Sequence, residues 1–231
     1  MEDAEKLMKI DKLVIATGNA GKFREFQEIA GAFVNEVIFA PEIAKLIVEE
    51  TGRTYSENAM LKAAAWAKCS GLPCLADDSG LEVNALDGAP GLFSARIIKG
   101  TDGNKVSWLL ESLRDKHDKS ERVARFAASL ALCVPDDYIL ICEGFCYGTI
   151  ANAPAGDNGF GYDPVFIPDG YSKTFAELDS AAKNSISHRY NAFKKLVTIL
   201  NLEGINQQLT STIETCSSVP VKGRRGKGYT Q

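Results

Sequence analysis

Two adjacent carboxylates, Asp77 and Asp78, stand where a buried strand is predicted to end. The apolar residues 74–76 precede them, and Ser79 and Gly80 follow as a turn signal. Adjacent acids repel each other, and an ionised carboxylate is costly to bury unless it is paired or bound to a metal. In open α/β sheets, ligands bind outside the carboxyl ends of the strands. The pair therefore indicates a divalent cation site, and the alternative is an ordinary polar turn.

A second candidate site is a tight turn between a strand and a helix. Residues 12–17 predict a strand covered on both faces, residues 18–21 predict the turn, and a helix with a regular apolar stripe follows. This arrangement presents backbone N–H groups to an anion. Lys22 falls in the first helical turn, where the helix dipole disfavours a cation unless a phosphate binds. A Walker A loop is excluded because the turn is too short and Phe23 stands where Ser or Thr is required.

A second acidic pair, Glu49 and Glu50, precedes a helix predicted from about Thr54 to Cys69. Thr54 and Glu57 have the spacing of a capping box at its start. The acids either belong to the cation site or are ordinary acidic residues before a helix.

The segment Gly159-Phe160-Gly161-Tyr162-Asp163 places glycines on both sides of an aromatic residue. Such a backbone allows close approach to a planar ligand. The alternative is a glycine-rich turn before an edge strand.

Three basic residues, Lys183, His188 and Arg189, crowd the predicted start of the last helix. Ser185 or Ser187 is predicted to cap that helix. Because the dipole disfavours cations there, the cluster indicates an electron-rich ligand.

The remaining patterns complete an α/β chain. Residues 1–11 predict a frayed leader, 88–96 a rigid loop, 102–116 a helix, and 122–134 with 138–150 a β-hairpin. Cys142 and Cys146 share one face of the hairpin and are predicted to be packing thiols, while His117 is predicted to lie in solvent. Residues 1–202 are predicted to form one domain, followed by a flexible basic tail over 203–231.

Composition restricts the class of protein. The 231 residues are 45% hydrophobic and 24% charged, which predicts a globular body with a sizeable core. The net charge of −4 includes four cations among the last fourteen residues, so the remainder is more acidic still and unsuited to binding nucleic acid polymers. Six cysteines without disulfide or zinc spacing predict a reducing compartment. No signal peptide or membrane span is predicted, which favours the cytoplasm.

Six motifs occur in an order that resembles the inosine triphosphate pyrophosphatase family, also called Ham1-like or non-canonical purine NTP pyrophosphatases. The motifs span about residues 12–200 and begin at Thr17, Glu49, Ala76, Gly88, Phe160 and Ser187. The Ala-Asp-Asp-Ser-Gly form is similar to that of the dITP/XTP pyrophosphatases of bacteria and archaea.

The resemblance implies a long central mixed β-sheet flanked by helices, with two lobes and a nucleotide cleft between them. It implies a Mg²⁺-dependent homodimer that hydrolyses ITP, dITP and XTP to the monophosphate and pyrophosphate. The residues implied to hold the triphosphate are Thr17, Gly18, Asn19, Ala20, Gly21 and Lys22. Those implied to line the nucleotide are Ser79, Phe160, Gly161, Tyr162, Asp163, Lys183, His188 and Arg189.

The resemblance also implies that Glu49 and Asp78 serve the metal, with Asp78 as the base for the attacking water; Glu50 stays open as the metal ligand in place of Glu49. His188 and Arg189 offer donors to the C6 oxygen of a purine, which adenine lacks. Two rivals remain: a Maf-like pyrophosphatase that prefers modified pyrimidines, and a nucleotide sensor without turnover.

Overall fold

A mixed six-stranded sheet forms the centre of the molecule, and helices cover both of its faces. The structure is a computed structural model that describes residues 10–202. The strand order is β2-β1-β3-β4-β5-β6. The strands are β1 (Ile10–Ile15), β2 (Val34–Phe39), β3 (Cys74–Val83), β4 (Val123–Cys133), β5 (Ile139–Ile150) and β6 (Phe166–Pro168). Strand β1 pairs in parallel with β2 and β3, and the other pairs are antiparallel.

Six α-helices connect or follow the strands. They are α1 (Ala20–Ala30), α2 (Ala40–Ile43), α3 (Tyr55–Ser70), α4 (Asp102–Ser112), α5 (Ser180–Ile186) and α6 (His188–Leu202). Thr54 caps α3 as predicted, by accepting from the amide of Glu57. The Glu57 carboxylate accepts from the Arg53 amide, one residue before the position that a capping box predicts.

Strand β3 is longer than predicted, and this moves the acidic pair. All ten residues of β3 pair with β4, from Cys74 opposite Cys133 to Val83 opposite Ala124. Asp77 and Asp78 therefore lie in the middle of a strand, and the prediction that the strand ends after them was wrong. Strand β1 pairs only with the first two residues of β3, so β1 does not pair with the edge of β3 beside the acids.

The predicted last helix is two helices. Ser187 has an extended backbone conformation, and its hydroxyl accepts from the Tyr190 amide to cap α6. Lys183 consequently lies in the last turn of α5, which corrects its predicted place at the start of the last helix. At the other end of the domain, β1 begins at Ile10, so the predicted leader extends too far by two residues. The rest of that leader and the predicted tail at 203–231 lie outside the described residues.

The hydrophobic core divides along the strands into two lobes. Near the amino end of β3, one cluster around Leu75 and Phe193 packs under α1 and α6, and another around Cys74 and Ala63 packs under α3. A third cluster, centred on Phe126, fills the far end of β3–β5. Residues 77–80 lie between these cores, so the cleft crosses the sheet at the acidic pair.

The cysteines and His117 agree with their predictions. The five cysteines of the described part are free, and Cys142 and Cys146 are buried in different clusters, as packing thiols. His117 is exposed. Within residues 10–202, no helix combines the length and the apolar character needed to cross a bilayer.

Candidate active site

The carboxylate of Asp77 is the buried centre of the cleft. Its Oδ2 lies 2.7 Å from Lys22 Nζ and 3.2 Å from Arg189 Nε, and it accepts from Ser79 Oγ at 3.0 Å. Burial alone would raise the pKa of Asp77, but Lys22 and Arg189 hold that pKa well below its usual range. Its Oδ1 has no hydrogen-bond partner among the described residues. A buried, ionised oxygen without a partner is costly unless a ligand or ion meets it.

Asp78 is held by two residues of α3. Its Oδ2 accepts from Asn58 Nδ2 and its Oδ1 from Lys62 Nζ, both at 3.1 Å. Burial raises the pKa of Asp78 even though Lys62 opposes the shift. Burial would lower the pKa of Lys62, but Asp78 and Glu50 outweigh it, so that pKa is raised. Lys62 is therefore a fixed cation beside a carboxylate whose proton affinity is enhanced.

Of the second acidic pair, Glu50 is the residue that joins this cluster. Its Oε1 accepts from Lys62 Nζ at 2.8 Å and its Oε2 from Arg96 at 2.9 Å, whereas Glu49 is exposed.

The donor set fits a hard cation only if other oxygens complete its coordination. The described residues include no group of three or more His, Cys, Asp or Glu side chains that could hold a metal by themselves. Asp78 and Glu50 offer carboxylate oxygens, and Asp77 has an unpartnered one. Magnesium commonly takes one or two carboxylates and completes its shell with water and substrate phosphates, so the site fits it in that form.

The predicted anion turn has a different amide arrangement from the one expected. Asn19 caps α1 and its Oδ1 accepts from the amides of Gly21 and Lys22, at 2.8 and 3.1 Å. Those two amides are already bound within the turn, so they are not the groups that it offers to the predicted anion. The charged group at this turn is the Lys22 ammonium, whose pKa is lowered by burial despite Asp77.

Two cavities meet at this turn. The larger, about 410 Å³, has Thr17 and Gly18 on one side and Glu50, Lys62 and Asp77 on the other. The smaller, about 100 Å³, extends from the turn towards α6. The residues common to both cavities are Asn19, Lys22 and Ala95. The cleft therefore has a strongly charged compartment and a narrower one joined at Lys22.

The narrower compartment contains a neutral histidine. His188 is buried and its ring stacks on Phe126, with centroids 4.8 Å apart. Burial, and then the adjacent Arg189, lower the pKa of His188 well below its ordinary value. Neither ring nitrogen has a hydrogen-bond partner within the described part of the chain. A neutral imidazole offers one donor and one acceptor to a ligand.

Phe160 forms the rim of the narrow compartment. Its ring packs on Gly21, where an added Cβ would come within 2.7 Å of Phe160 Cδ1, so this position requires glycine for the present ring placement. Lys183 Nζ and Arg189 Cζ lie 5.0 and 5.4 Å from the ring centroid. The neighbouring Tyr162 is buried, and its hydroxyl donates to the Ser94 carbonyl.

A buried acid on α1, Glu25, joins the basic residues of α5 and α6. It accepts from Lys183 Nζ at 2.6 Å and from Arg189 at 2.8 Å. Lys183 also donates to Asp163, which in turn accepts from the Phe160 amide. Lys183 is thus engaged in supporting the Phe160 loop.

The structure brings most of the predicted site residues together. Those lining the narrow compartment are Asn19, Lys22, Ser79, Phe160, Gly161, Tyr162, Asp163, His188 and Arg189. Gly21 and Lys183 line a separate cavity behind Phe160, and Ala20 is exposed on the turn. Residues that sequence reasoning missed are Glu25, Asn58, Lys62, Ser94, Asp102, Lys105 and Phe126. Asn58 and Lys62 had a detectable signal, since they are four residues apart on one face of the predicted α3.

Comparison with known proteins identifies what this chain is similar to. Residues 13–199 match the model of the Ham1 family. A dITP/XTP pyrophosphatase of Rhodospirillum centenum is 48% identical over 81% of this chain and 93% of its own length. One from Escherichia coli O157:H7 is 45% identical over 83% and 98%. The solved structure of a HAM1 protein from Coxiella burnetii has a TM-score of 0.72 and 43% identity, covering 83% of this chain and 98% of that one.

Proposed function

The chain belongs to the Ham1 family, and we propose that it hydrolyses non-canonical purine nucleoside triphosphates, namely ITP, dITP and XTP, to the monophosphate and pyrophosphate. Relatives that are 44–48% identical are named dITP/XTP pyrophosphatases. The observation that carries the proposal is the meeting of a charged and a narrow compartment at Asn19 and Lys22. A nucleoside triphosphate has the same division into a polyanionic end and a planar end.

The charged compartment is assigned to the triphosphate. Lys22 and Lys62 face it from α1 and α3, and the turn residues Thr17, Gly18 and Asn19 line it. Ala20 and Gly21 are proposed to complete the phosphate-binding turn. The Lys22 side chain is only 17% exposed and pairs with Asp77, so a phosphate that approaches it meets a cation already fixed in position. Fixed cations stabilise charge that develops on phosphoryl oxygens without reorganisation in the reaction.

The narrow compartment is assigned to the base and ribose. Phe160 supplies an apolar face at its rim, and His188 supplies two hydrogen-bonding nitrogens that residues 10–202 leave without a partner. Arg189 makes hydrogen bonds through three of its nitrogens, to Asp77, Glu25 and Ser79. Since a guanidinium has five N–H groups, two have no partner among the described residues and are proposed to donate to an oxygen at purine C6.

Asp78 is assigned as the general base. Water attacks the α-phosphorus, the bond from this phosphorus to the bridging oxygen of the β-phosphate breaks, and pyrophosphate leaves. The proton of the water passes to Asp78, whose raised pKa makes it a better base than an exposed aspartate. Asn58 and Lys62 hold the carboxylate in one orientation.

Mg²⁺ is assigned to the carboxylates at the open edge of β3. Asp78 and Glu49 are the proposed ligands, and Glu50 is the alternative because its carboxylate lies in the same cluster as Asp78. When bound, the ion would offset the negative charge of the phosphates and of the leaving pyrophosphate.

The proposal includes a cytoplasmic homodimer with no nucleic acid polymer as partner. Free cysteines support a reducing compartment. The exposed apolar side chains of β5, at Ile139, Ile141 and Tyr147, support a second copy as partner. Light scattering at micromolar concentration tests the dimer.

Pyrophosphate release with Mg²⁺ tests the activity on a panel of ITP, dITP, XTP, ATP, GTP and pyrimidine triphosphates. The proposal expects turnover of the first three above the others, and loss of turnover with EDTA. A preference for pyrimidines would favour the Maf-like alternative, and tight binding without product would favour the sensor.

A further inference from the structure

A lysine on α4 lines the narrow compartment without being part of the buried charge network around Asp77. The Lys105 side chain is only 15% exposed and reaches the cavity wall beside Gly161 and Tyr162. Its ammonium lies 2.9 Å from Asp102 Oδ1, and the other oxygen of Asp102 accepts from the Gly161 amide at 2.8 Å. The bond to Asp102 is the one hydrogen bond of the Lys105 ammonium within residues 10–202, although an ammonium has three donors.

The acid that balances Lys105 differs in burial from the acid that balances the other cations of the cavity. Lys22 and Arg189 both face the fully buried carboxylate of Asp77, and Arg189 also pairs with the buried Glu25, so two carboxylates balance these two cations inside the protein. Asp102 is 47% exposed, so water screens its charge far more than it screens the ammonium of Lys105. Both members of the pair line the cavity, and the more buried and less screened of the two is the cation.

An ordinary surface ion pair on a helix is the alternative explanation, because Lys105 and Asp102 are three residues apart on α4. Two observations argue against it. Both residues line the cavity, but the lysine is mostly buried there while its partner acid is about half exposed, and Asp102 also accepts from the Gly161 amide of another cavity wall. A pair that served only helix stability would not need either feature.

We propose that Lys105 is a specificity-determining residue that favours xanthine over hypoxanthine in the narrow compartment. This inference depends on the proposed function. Xanthine has oxo groups at both C2 and C6 and loses a ring proton far more readily than hypoxanthine, so near neutral pH it binds as an anion while hypoxanthine is neutral. A poorly screened cation in the wall of the compartment that holds the base attracts that anion.

The test compares kcat/KM for XTP and ITP in the wild type, Lys105→Gln and Lys105→Arg, with Lys119→Gln as a matched loss of one exposed lysine. The ratio of XTP to ITP should fall about tenfold in Lys105→Gln and stay within about twofold of wild type in the other two. Melting temperatures identify any variant that fails to fold. Lys105→Arg then separates the effect of the charge from that of the side-chain shape, because it keeps the charge in a different side chain.

The pH profile of the same ratio separates a charge effect from a structural one. The titratable groups that line this cavity besides Lys105 are Lys22 on α1, Asp102 on α4, Tyr162 and Asp163 in the Phe160 loop, and His188 and Arg189 on α6. Their charges also act on the xanthine anion, but the wild type and Lys105→Gln share this contribution, so comparing the two pH profiles removes it. Lowering the pH until xanthine is protonated should remove the wild-type advantage of XTP, and Lys105→Gln should show little of this change.

An unchanged ratio of XTP to ITP in Lys105→Gln, whether both activities fall equally or neither falls, would overturn the inference. The proposed pyrophosphatase function would stand. If wild-type protein released pyrophosphate from neither substrate, the proposed function itself would fall.

Discussion

Asp77 and Asp78 are neighbours in the sequence, but their carboxylates leave β3 on opposite faces of the sheet. Asp77 meets Lys22 of α1 and Arg189 of α6, whereas Asp78 meets Asn58 and Lys62 of α3. Side chains alternate along a strand, so the two acids avoid the repulsion that a turn would have imposed. Their environments differ accordingly: the pKa of Asp77 is depressed and that of Asp78 is raised. The first acid is suited to organise cations and the second to accept a proton.

Replacing Asp78 by asparagine should lower kcat for ITP by at least about 100-fold, because the base is lost. The near-isosteric amide keeps an oxygen for Lys62, so the melting temperature should change little. Steady-state pyrophosphate release measures the effect, with Asp115→Asn as a control at an exposed aspartate. Retention of more than a tenth of wild-type turnover by a folded variant would show that Asp78 is not the base.

Replacing Lys22 by alanine should lower the free energy of unfolding as well as the activity. The sequence alone predicts a mildly unfavourable cation in a first helical turn, with little cost on removal. In the structure the ammonium is 2.7 Å from a buried carboxylate, and removing one member of such a pair costs about 3 kcal/mol. Urea unfolding measures the loss, and Lys12→Ala, which breaks an exposed pair with Glu36, should have a much smaller effect. If the two variants unfold alike, the Lys22–Asp77 pair contributes no special stability.

The lowered pKa of His188 should make the folded protein less stable in mild acid. The folded pKa lies well below the ordinary value of 6.5, so below that pH the unfolded chain binds a proton that the folded chain does not. The free energy of unfolding should fall by about 1.4 kcal/mol per pH unit from about pH 6.5 downwards, until the folded pKa is reached. His188→Asn should lose this component and His117→Gln should keep it. Parallel pH profiles for His188→Asn and the wild type would refute the prediction.

Replacing Arg189 should reduce the preference for ITP over ATP mainly by loss of ITP activity. The two N–H groups that Arg189 leaves free are donors under all conditions, whereas a neutral histidine can present either a donor or an acceptor by changing tautomer. We therefore expect Arg189→Ala to lower the ITP to ATP ratio of kcat/KM at least about tenfold.

Because Arg189→Ala also strips a partner from Asp77 and Glu25, Arg189→Lys is the companion variant. It keeps the positive charge and loses the planar arrangement of donors. If both variants retain wild-type selectivity, the C6 oxygen is recognised elsewhere.

The helices and strands were predictable because their apolar periodicities are strong, as in α1 and the β4–β5 hairpin. The end of β3 was not, because Ser79 and Gly80 resemble a turn. Gly80 has a different role: a Cβ there would collide with the Gly91 carbonyl and with Tyr55. A glycine needed for close packing and a glycine needed for a turn are indistinguishable in a single sequence.

The candidate site was predictable as a set of motifs but not as a network of partners. Glu25 and Lys62 belong to helices, where charged residues usually face solvent. Their roles depend on where α1 and α3 pack against the sheet, which is a tertiary relationship that no local pattern encodes. Lys183 was misplaced for a related reason, since a single extended residue at Ser187 separates two helices that periodicity joins.

The full pairing of β3 with β4 has a consequence for how insertions and deletions affect this chain. A shift of β3 by one residue would turn every side chain to the other face, so Asp78 would face the arginine and Asp77 the α3 lysine. The chemical difference between the two acids therefore depends on the register of one strand. A single-residue deletion among residues 74–76 would exchange their roles while conserving every residue of the site, and the ten ladder pairs with β4 are what prevents such slippage in the intact protein.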